Sequence, residues 1–196
     1  MRRRFAVLAV VSLSMAAACS SGHHPVAQPT TTTAPDPNPY VVPAVITPAY
    51  VNAVFKVLEH VDGNASRTLI AAKAVSPTVL ADIRAIYADP LYADEVNIAE
   101  ESLKGDLKNI RRPPGDVAMS VVRLISASPS CIFVEAASDY SAVVYRSPTP
   151  PASEYWGLRL KQRGDDPGHL NPTPWAFSFN RTFGAPTSIP DQCVGQ

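Results

Sequence analysis

"RRPPGDVAMSVVRLISASPSCIFVEAAS", residues 111–138, holds the turning point of the chain. Pro113 and Pro114 each remove a backbone donor and fix φ, so a helix arriving from upstream stops here. Beyond Gly115 the apolar residues change spacing. "DVAMSVVRLIS" and "CIFVEAAS" alternate with period two on either side of the turn "ASPS", which reads as two strands. From Thr47 to the two prolines the spacing is helical.

Upstream, Thr47 can cap a helix and Pro48 suits its first turn. Tyr50, Val51, Val54, Phe55, Leu58 and Val61 then form one apolar stripe, and Gly63 is expected to end it. A short helix is expected over residues 66–75. Ser76-Pro77 opens another, with Val79, Leu80, Ile83, Ile86 and Tyr87 inward, stopped at Asp89-Pro90. A fourth is expected over residues 92–111, burying Val96, Ala99, Leu103, Leu107 and Ile110. Its acids Asp94, Glu95, Glu100 and Glu101 precede its bases Lys104, Lys108, Arg111 and Arg112, an order that complements the helix dipole.

Downstream, "SAVVYR" (141–146) reads as a third strand, followed by the loop "SPTPPAS". In "YWGLRLKQR" Trp156, Leu158 and Leu160 share a face, with Arg159, Lys161 and Arg163 on the other. In "WAFSFNRTF" Trp175, Phe177, Phe179 and Phe183 alternate with Ala176, Ser178, Asn180 and Thr182. One covered face and one wet face suit an antiparallel sheet. The fold class expected is α+β: N-terminal helices packed on one face of a C-terminal antiparallel sheet of about five strands, in a single domain over residues 45–196.

The N-terminus carries different information. Arg2–Arg4, the apolar run 5–15 and Ala16–Ala18 have the form of a signal peptide, residues 1–18. Two cleavage products are consistent with it: an ordinary secreted chain, or a lipoprotein with an acyl-bearing Cys19 from the lipobox-like "AAAC". Ala16 stands where a lipobox prefers Leu, but the small polar Ser20, Ser21 and Gly22 suit a flexible leash, and the lipoprotein reading is preferred. Residues 19–44 are dense in proline, with Thr30–Thr33 as a block, and read as a disordered stalk reaching on the order of 75 Å. Threonine beside proline there is also compatible with O-glycosylation. The localisation implied is the cell membrane, on its extracytoplasmic face.

The cysteine count agrees. With Cys19 lipidated, Cys131 and Cys193 are expected to pair as one disulfide suited to an oxidising compartment, worth about 4 kcal/mol on the chain-entropy estimate, with two unpaired thiols as the alternative. Three of the 17 basic residues lie in the leader, so the mature chain has 14 against 17 acidic residues, net −3. That balance gives no footing for nucleic acid or for charge-driven binding to anionic lipid.

No H-E-x-x-H, G-x-S-x-G, S-x-x-K, C-x-x-C or phosphate-cradling glycine loop occurs. Weaker groupings remain. Asp165, Asp166 and His169 could approach a cation but lack the oxygens a calcium site needs, and a polar turn explains them better. His23 and His24 lack a third ligand, and His60 falls on the polar side of the first helix. Arg159, Lys161 and Arg163 could meet an acidic partner, or serve only to guard a strand face. Trp156, Trp175, Phe177 and Phe179 are candidates for a ligand pocket, weighed against plain core.

The signal, "AAAC", the Pro/Thr stalk, "IRAIYADP" and "RLISASPSCIFVEAASDYSAVV" resemble exported actinobacterial, mycobacterial-type lipoproteins of unknown function. The resemblance covers about half the domain and implies no activity. Helices against an antiparallel sheet are also similar to the cones of the nuclear-transport-factor-2 and cystatin types. The function expected first is a non-enzymatic, lipid-anchored module engaging an unknown envelope protein. An alternative is a binder or carrier of a small apolar ligand between helices and sheet. A third is an enzyme using a buried carboxylate, Glu135 or Asp139. No cofactor or metal is expected.

Overall fold

Thr47 and Pro48 start the first helix as the sequence expects. In the computed structural model, which describes residues 37–105, 107–182 and 189–194, Thr47 Oγ1 accepts the Tyr50 N–H at 3.2 Å. Helix α1 then runs Pro48–Ala72, and ends where Lys73 takes a left-handed conformation and donates its N–H to Leu69 O. Ser76 caps α2 (Pro77–Ile86) through Val79 N–H. After it comes α3 (Leu91–Lys104).

Four strands follow: β1 (Ala118–Ser128), β2 (Cys131–Asp139), β3 (Ala152–Leu160) and β4 (Trp175–Thr182), each antiparallel to the next in the order β1-β2-β3-β4. The protein is therefore α+β, with helices and sheet segregated along the chain. Helix α1 packs along β1, α2 and α3 along β4, and side chains of α1 and α2 share one core cluster with those of β2, β3 and β4. Val51, Val54, Phe55 and Leu58 of α1 pack there with Ile132, Val134, Leu158 and Trp175. The Trp175 indole has no exposed surface, and its Nε1–H donates to Tyr50 Oη at 2.7 Å, which satisfies the one polar atom of that ring.

Each sheet edge is bonded at a few positions from the helical layer. On β1, the N–H groups of Met119 and Val121 donate to Glu59 Oε1 (2.6 Å) and Asn52 Oδ1 (2.8 Å) of α1. On β4, Phe177 O accepts the Ala88 N–H at 2.8 Å from the segment that follows α2. These edge groups, which would otherwise invite another chain, are occupied. The opposite face of the sheet is lined by Phe133, whose ring meets Tyr155 and Phe179. Residues near the C-terminus reach this part of the sheet through the Cys131–Cys193 disulfide and a 2.6 Å bond from Ser126 Oγ to Asp191 Oδ1.

The structure corrects several expectations. Gly63 does not end the first helix. It is an interior position where a side chain would collide with Asp116, a methyl lying 1.9 Å from its Oδ1. The fourth expected helix stops at Lys104 rather than Arg111, because Gly105 turns the chain into a short 3₁₀ segment, Leu107–Asn109. The sheet has four strands rather than five. "SAVVYR" curls into a turn instead: Asp139 Oδ1 accepts the Ser141 N–H, and Val143 and Val144 both return their N–H to Tyr140 O. The expected stalk also gives way earlier than residue 44, since Val42 packs against the core. The signal peptide, Cys19, the stalk up to residue 36 and Phe183 lie outside the described residues.

Candidate ligand-binding cavity

Between the helices and the inner face of the sheet lies a cavity of about 360 Å³. Most of its wall is aromatic and apolar, with Trp156 of β3, Phe177 of β4, Tyr87, Val79, Ile83 and Met119 among the residues that line it. Trp156 and Phe177 have ring centroids 4.6 Å apart, and Tyr87 lies 5.7 Å from Phe177. The charged groups of the wall are acidic. Glu59 and Asp62 come from α1, Glu95 from α3 and Glu154 from β3, and among the described residues no lysine, arginine or histidine lines the space.

The four carboxylates are held differently. Glu154, only 5 % exposed, accepts three donors: Ser138 Oγ (2.6 Å), Tyr140 Oη (2.8 Å) and Trp156 Nε1 (3.1 Å). Asp62 Oδ1 accepts the Tyr87 phenol at 3.0 Å. Glu59 takes the Met119 N–H on one oxygen. Glu95 receives no hydrogen bond from any described residue.

Burial sets the protonation of Glu59, Asp62 and Glu95. It pushes Glu59 up to about 7, against the pull of the Met119 N–H and with added repulsion from Asp116 and Asp62. Burial raises Asp62 to about 6, despite the Tyr87 hydrogen bond that favours its anion. It raises Glu95 to about 7, helped by Asp62, Asp94 and Glu154. The Tyr87 and Tyr140 phenols are pushed up by the same burial and by their carboxylate neighbours, so both remain protonated donors. At neutral pH the cavity thus holds acids poised between two states beside fixed donors. Such a set can stabilise a positive charge or exchange a proton with a bound molecule.

Of the four aromatic residues singled out from the sequence, the structure brings Trp156 and Phe177 into this wall. Trp175 lies in the core. Phe179 sits on the other face of the sheet, beside a shallow depression with Pro90, Asp94, Arg181 and Gln192. A bulge explains the split. Leu158 pairs with Phe177 but Gly157 pairs with Phe179, so Ser178 is an extra residue and the alternation reverses after it.

Glu135 and Asp139 do not meet the cavity. Glu135 pairs with Arg123 (3.1 Å) and accepts Ser153 Oγ, while Asp139 is held below the usual carboxylate range by its Ser141 hydrogen bonds. The acids of "GDDPGH" are taken by the basic strand face. Arg159 reaches Asp165 at 2.7 Å and Lys161 reaches Asp166 at 3.1 Å, while His169 and Arg163 are exposed. His60 is exposed and bonds Asp116 at 3.1 Å. Among the described residues no group of three His, Cys, Asp or Glu side chains is placed to hold a metal, and no helix is long and apolar enough to cross a membrane. Cys131 and Cys193 are joined; Cys19, His23 and His24 fall outside the described residues.

Sequence reasoning passed over Glu154, although it stands two positions before Trp156 and therefore on the same inward face. It also passed over Glu59 and Asp62, each adjacent to a stripe residue of α1. No family model, curated protein or solved structure matches the chain.

Proposed function

We propose that this domain binds a small molecule in the cavity between helices and sheet, and that a lipid on Cys19 holds it at the outer face of the cell membrane. The observation that carries the binding reading is the cavity itself, whose volume of about 360 Å³ falls in the range of ligand sites. Its wall pairs aromatic surface with a few convergent polar groups, the usual division between affinity and orientation. A module that only docks another protein on its surface needs no such internal space, so the cavity favours the ligand binder over the protein-docking module. The anchor rests on "AAAC" and the polar leash behind it.

Native mass spectrometry of the protein, extracted gently from its own membranes, tests both halves. Acyl mass on the wild type but not on Cys19→Ser supports the anchor. A retained small molecule that is absent from Ala99→Phe, whose new ring fills the cavity, supports the site. A bare wild-type domain that also takes up nothing from a metabolite extract refutes the binding reading.

A second reading, acid–base catalysis on the bound molecule, is favoured by Glu59 and Glu95 standing near pH 7 beside the cavity. Conversion of the retained molecule by wild type but not by Glu95→Gln would move the protein from carrier to enzyme.

A further inference from the structure

The lining of the cavity specifies more than its size. Four carboxylates converge on it from α1, α3 and β3. The hydroxyls of Tyr87 and Tyr140 and the indole N–H of Trp156 already donate to two of them, Asp62 and Glu154. What remains is acceptor capacity. The Glu95 carboxylate and the second oxygens of Glu59 and Asp62 receive no hydrogen bond from a described residue. Beside them in the wall stand the rings of Trp156, Phe177 and Tyr87.

We infer that the cavity takes an organic cation, a protonated or quaternary amine carried on a compact apolar body. The inference rests on the ligand-binding reading above and names its chemistry. An anionic ligand would meet four acids and no basic side chain. A neutral apolar ligand would strip water from these acids and return nothing to them. An ammonium group supplies donors and a countercharge, aromatic faces attract it further, and its apolar part covers the remaining wall. Ile98, which lines the cavity and is 56 % exposed, marks where a ligand would enter.

The same chemistry couples binding to pH. The charged or titratable groups facing the ligand position are Glu59 and Asp62 on α1, Tyr87 after α2, Glu95 on α3, and Tyr140 and Glu154 at the sheet. Asp116, Asp94 and Lys56 act on them from outside the cavity. A bound cation favours the ionised carboxylates. Protons therefore leave on binding between about pH 6 and 7, and affinity rises with pH across that interval.

Isothermal titration of the full chain with 2-phenylethylammonium and its neutral counterpart 2-phenylethanol tests the inference. At pH 8 the cation is expected to bind at least about tenfold more tightly than the alcohol, a gap of one factor of ten in the binding constant. The gap should shrink at pH 5. Asp62→Asn and Glu95→Gln, each checked for native circular dichroism, should weaken the cation at least about tenfold and should not weaken the alcohol. Equal binding of the two probes, or tighter binding of the alcohol, overturns the cation inference while the cavity reading stands. Binding of neither probe at millimolar concentration counts against both. The wild-type comparison decides the matter even if one variant does not fold.

Discussion

The phenol of Tyr87 donates a 3.0 Å hydrogen bond to Asp62, and so ties the end of α2 to the middle of α1 at the edge of the cavity. The ring does a second job, since it packs on Phe177. Tyr87→Phe separates the two roles by keeping the ring and deleting the donor. Asp62 then loses the one hydrogen bond that favours its anion, and its pKa climbs above about 6. Leaving a buried acceptor unpaired costs about 1–3 kcal/mol. Urea unfolding at pH 8, where Asp62 is ionised, should register that loss. At pH 5, where Asp62 is largely neutral and supplies its own proton, the loss should be smaller. An equal loss at both pH values would mean that the hydrogen bond is not what Asp62 depends on.

The three cavity acids with raised pKa values give stability an unusual slope. Glu59 and Glu95 rise from 4.5 to about 7, and Asp62 from 3.8 to about 6. Each therefore binds its proton more tightly in the folded than in the unfolded chain. Its contribution is complete below the unfolded value and is lost as pH rises through the folded one. Asp116, Asp165 and Asp191 are held low by their partners and run the other way, losing their contribution in acid. The melting temperature should peak near pH 4–5 and fall between pH 5 and 8. Glu59→Gln with Glu95→Gln should flatten that fall, because glutamine at position 59 can still accept the Met119 N–H. A melting temperature that rises from pH 5 to 8 would contradict the assignment.

The contrast between α1 and the cavity shows what a sequence can carry. The stripe Tyr50 to Val61 and the Thr47-Pro48 start are local signals, and the helix forms where they say. Period-two spacing likewise places β1 to β4, because each strand's pattern needs only its own residues. Gly63 misled for a tertiary reason: its missing side chain leaves room for Asp116, 53 positions away in the chain. Ser178 misled because one extra residue reverses every later side chain, and spacing alone cannot reveal a bulge. The cavity was illegible because Glu59, Asp62 and Glu95 are unremarkable where they stand. Only the meeting of α1, α3 and β3 makes them neighbours. Glu154 is the exception, since an acid in register with Trp156 and Leu158 is a buried acid on periodicity alone.

Gly63→Ala tests the tertiary role directly. Alanine is the better helix former by about 1 kcal/mol, so propensity predicts a gain. The packing predicts a loss, because the new methyl would sit 1.9 Å from Asp116 Oδ1 and 3.0 Å from Arg67 Nη1. Asp116 must then leave Arg67 (2.8 Å) and His60 (3.1 Å). A net destabilisation of about 1–3 kcal/mol is expected, in line with overpacking at a close contact. Pairing the change with Asp116→Ala should recover most of it, and denaturant titration of the four chains reads the coupling. A stabilised single variant would show that Asp116 moves away without cost.

The Cys131–Cys193 bridge joins the start of β2 to the chain near its C-terminus, across 62 positions. Closing a loop of that length removes unfolded-state entropy worth about 4 kcal/mol, and the double variant Cys131→Ala, Cys193→Ala should lose about 2–4 kcal/mol. The loss should be accompanied by greater exposure of the sheet's outer face. Gln192 lies within reach of Gly157 there, and Asp191 is bonded to Ser126, so releasing the tail uncovers Phe133 and Phe179 to an apolar dye. Ligand binding should survive. Gly157 meets Phe179 and Gln192 on that outer face, whereas its neighbour Trp156 points to the cavity, so the bridge and the site are separated by the thickness of one strand. The calorimetric midpoint should therefore drop while the affinity for 2-phenylethylammonium at 15 °C stays within about twofold. Lost affinity in a variant that still melts cooperatively would mean that the tail, from the far side of the sheet, sets the shape of the cavity.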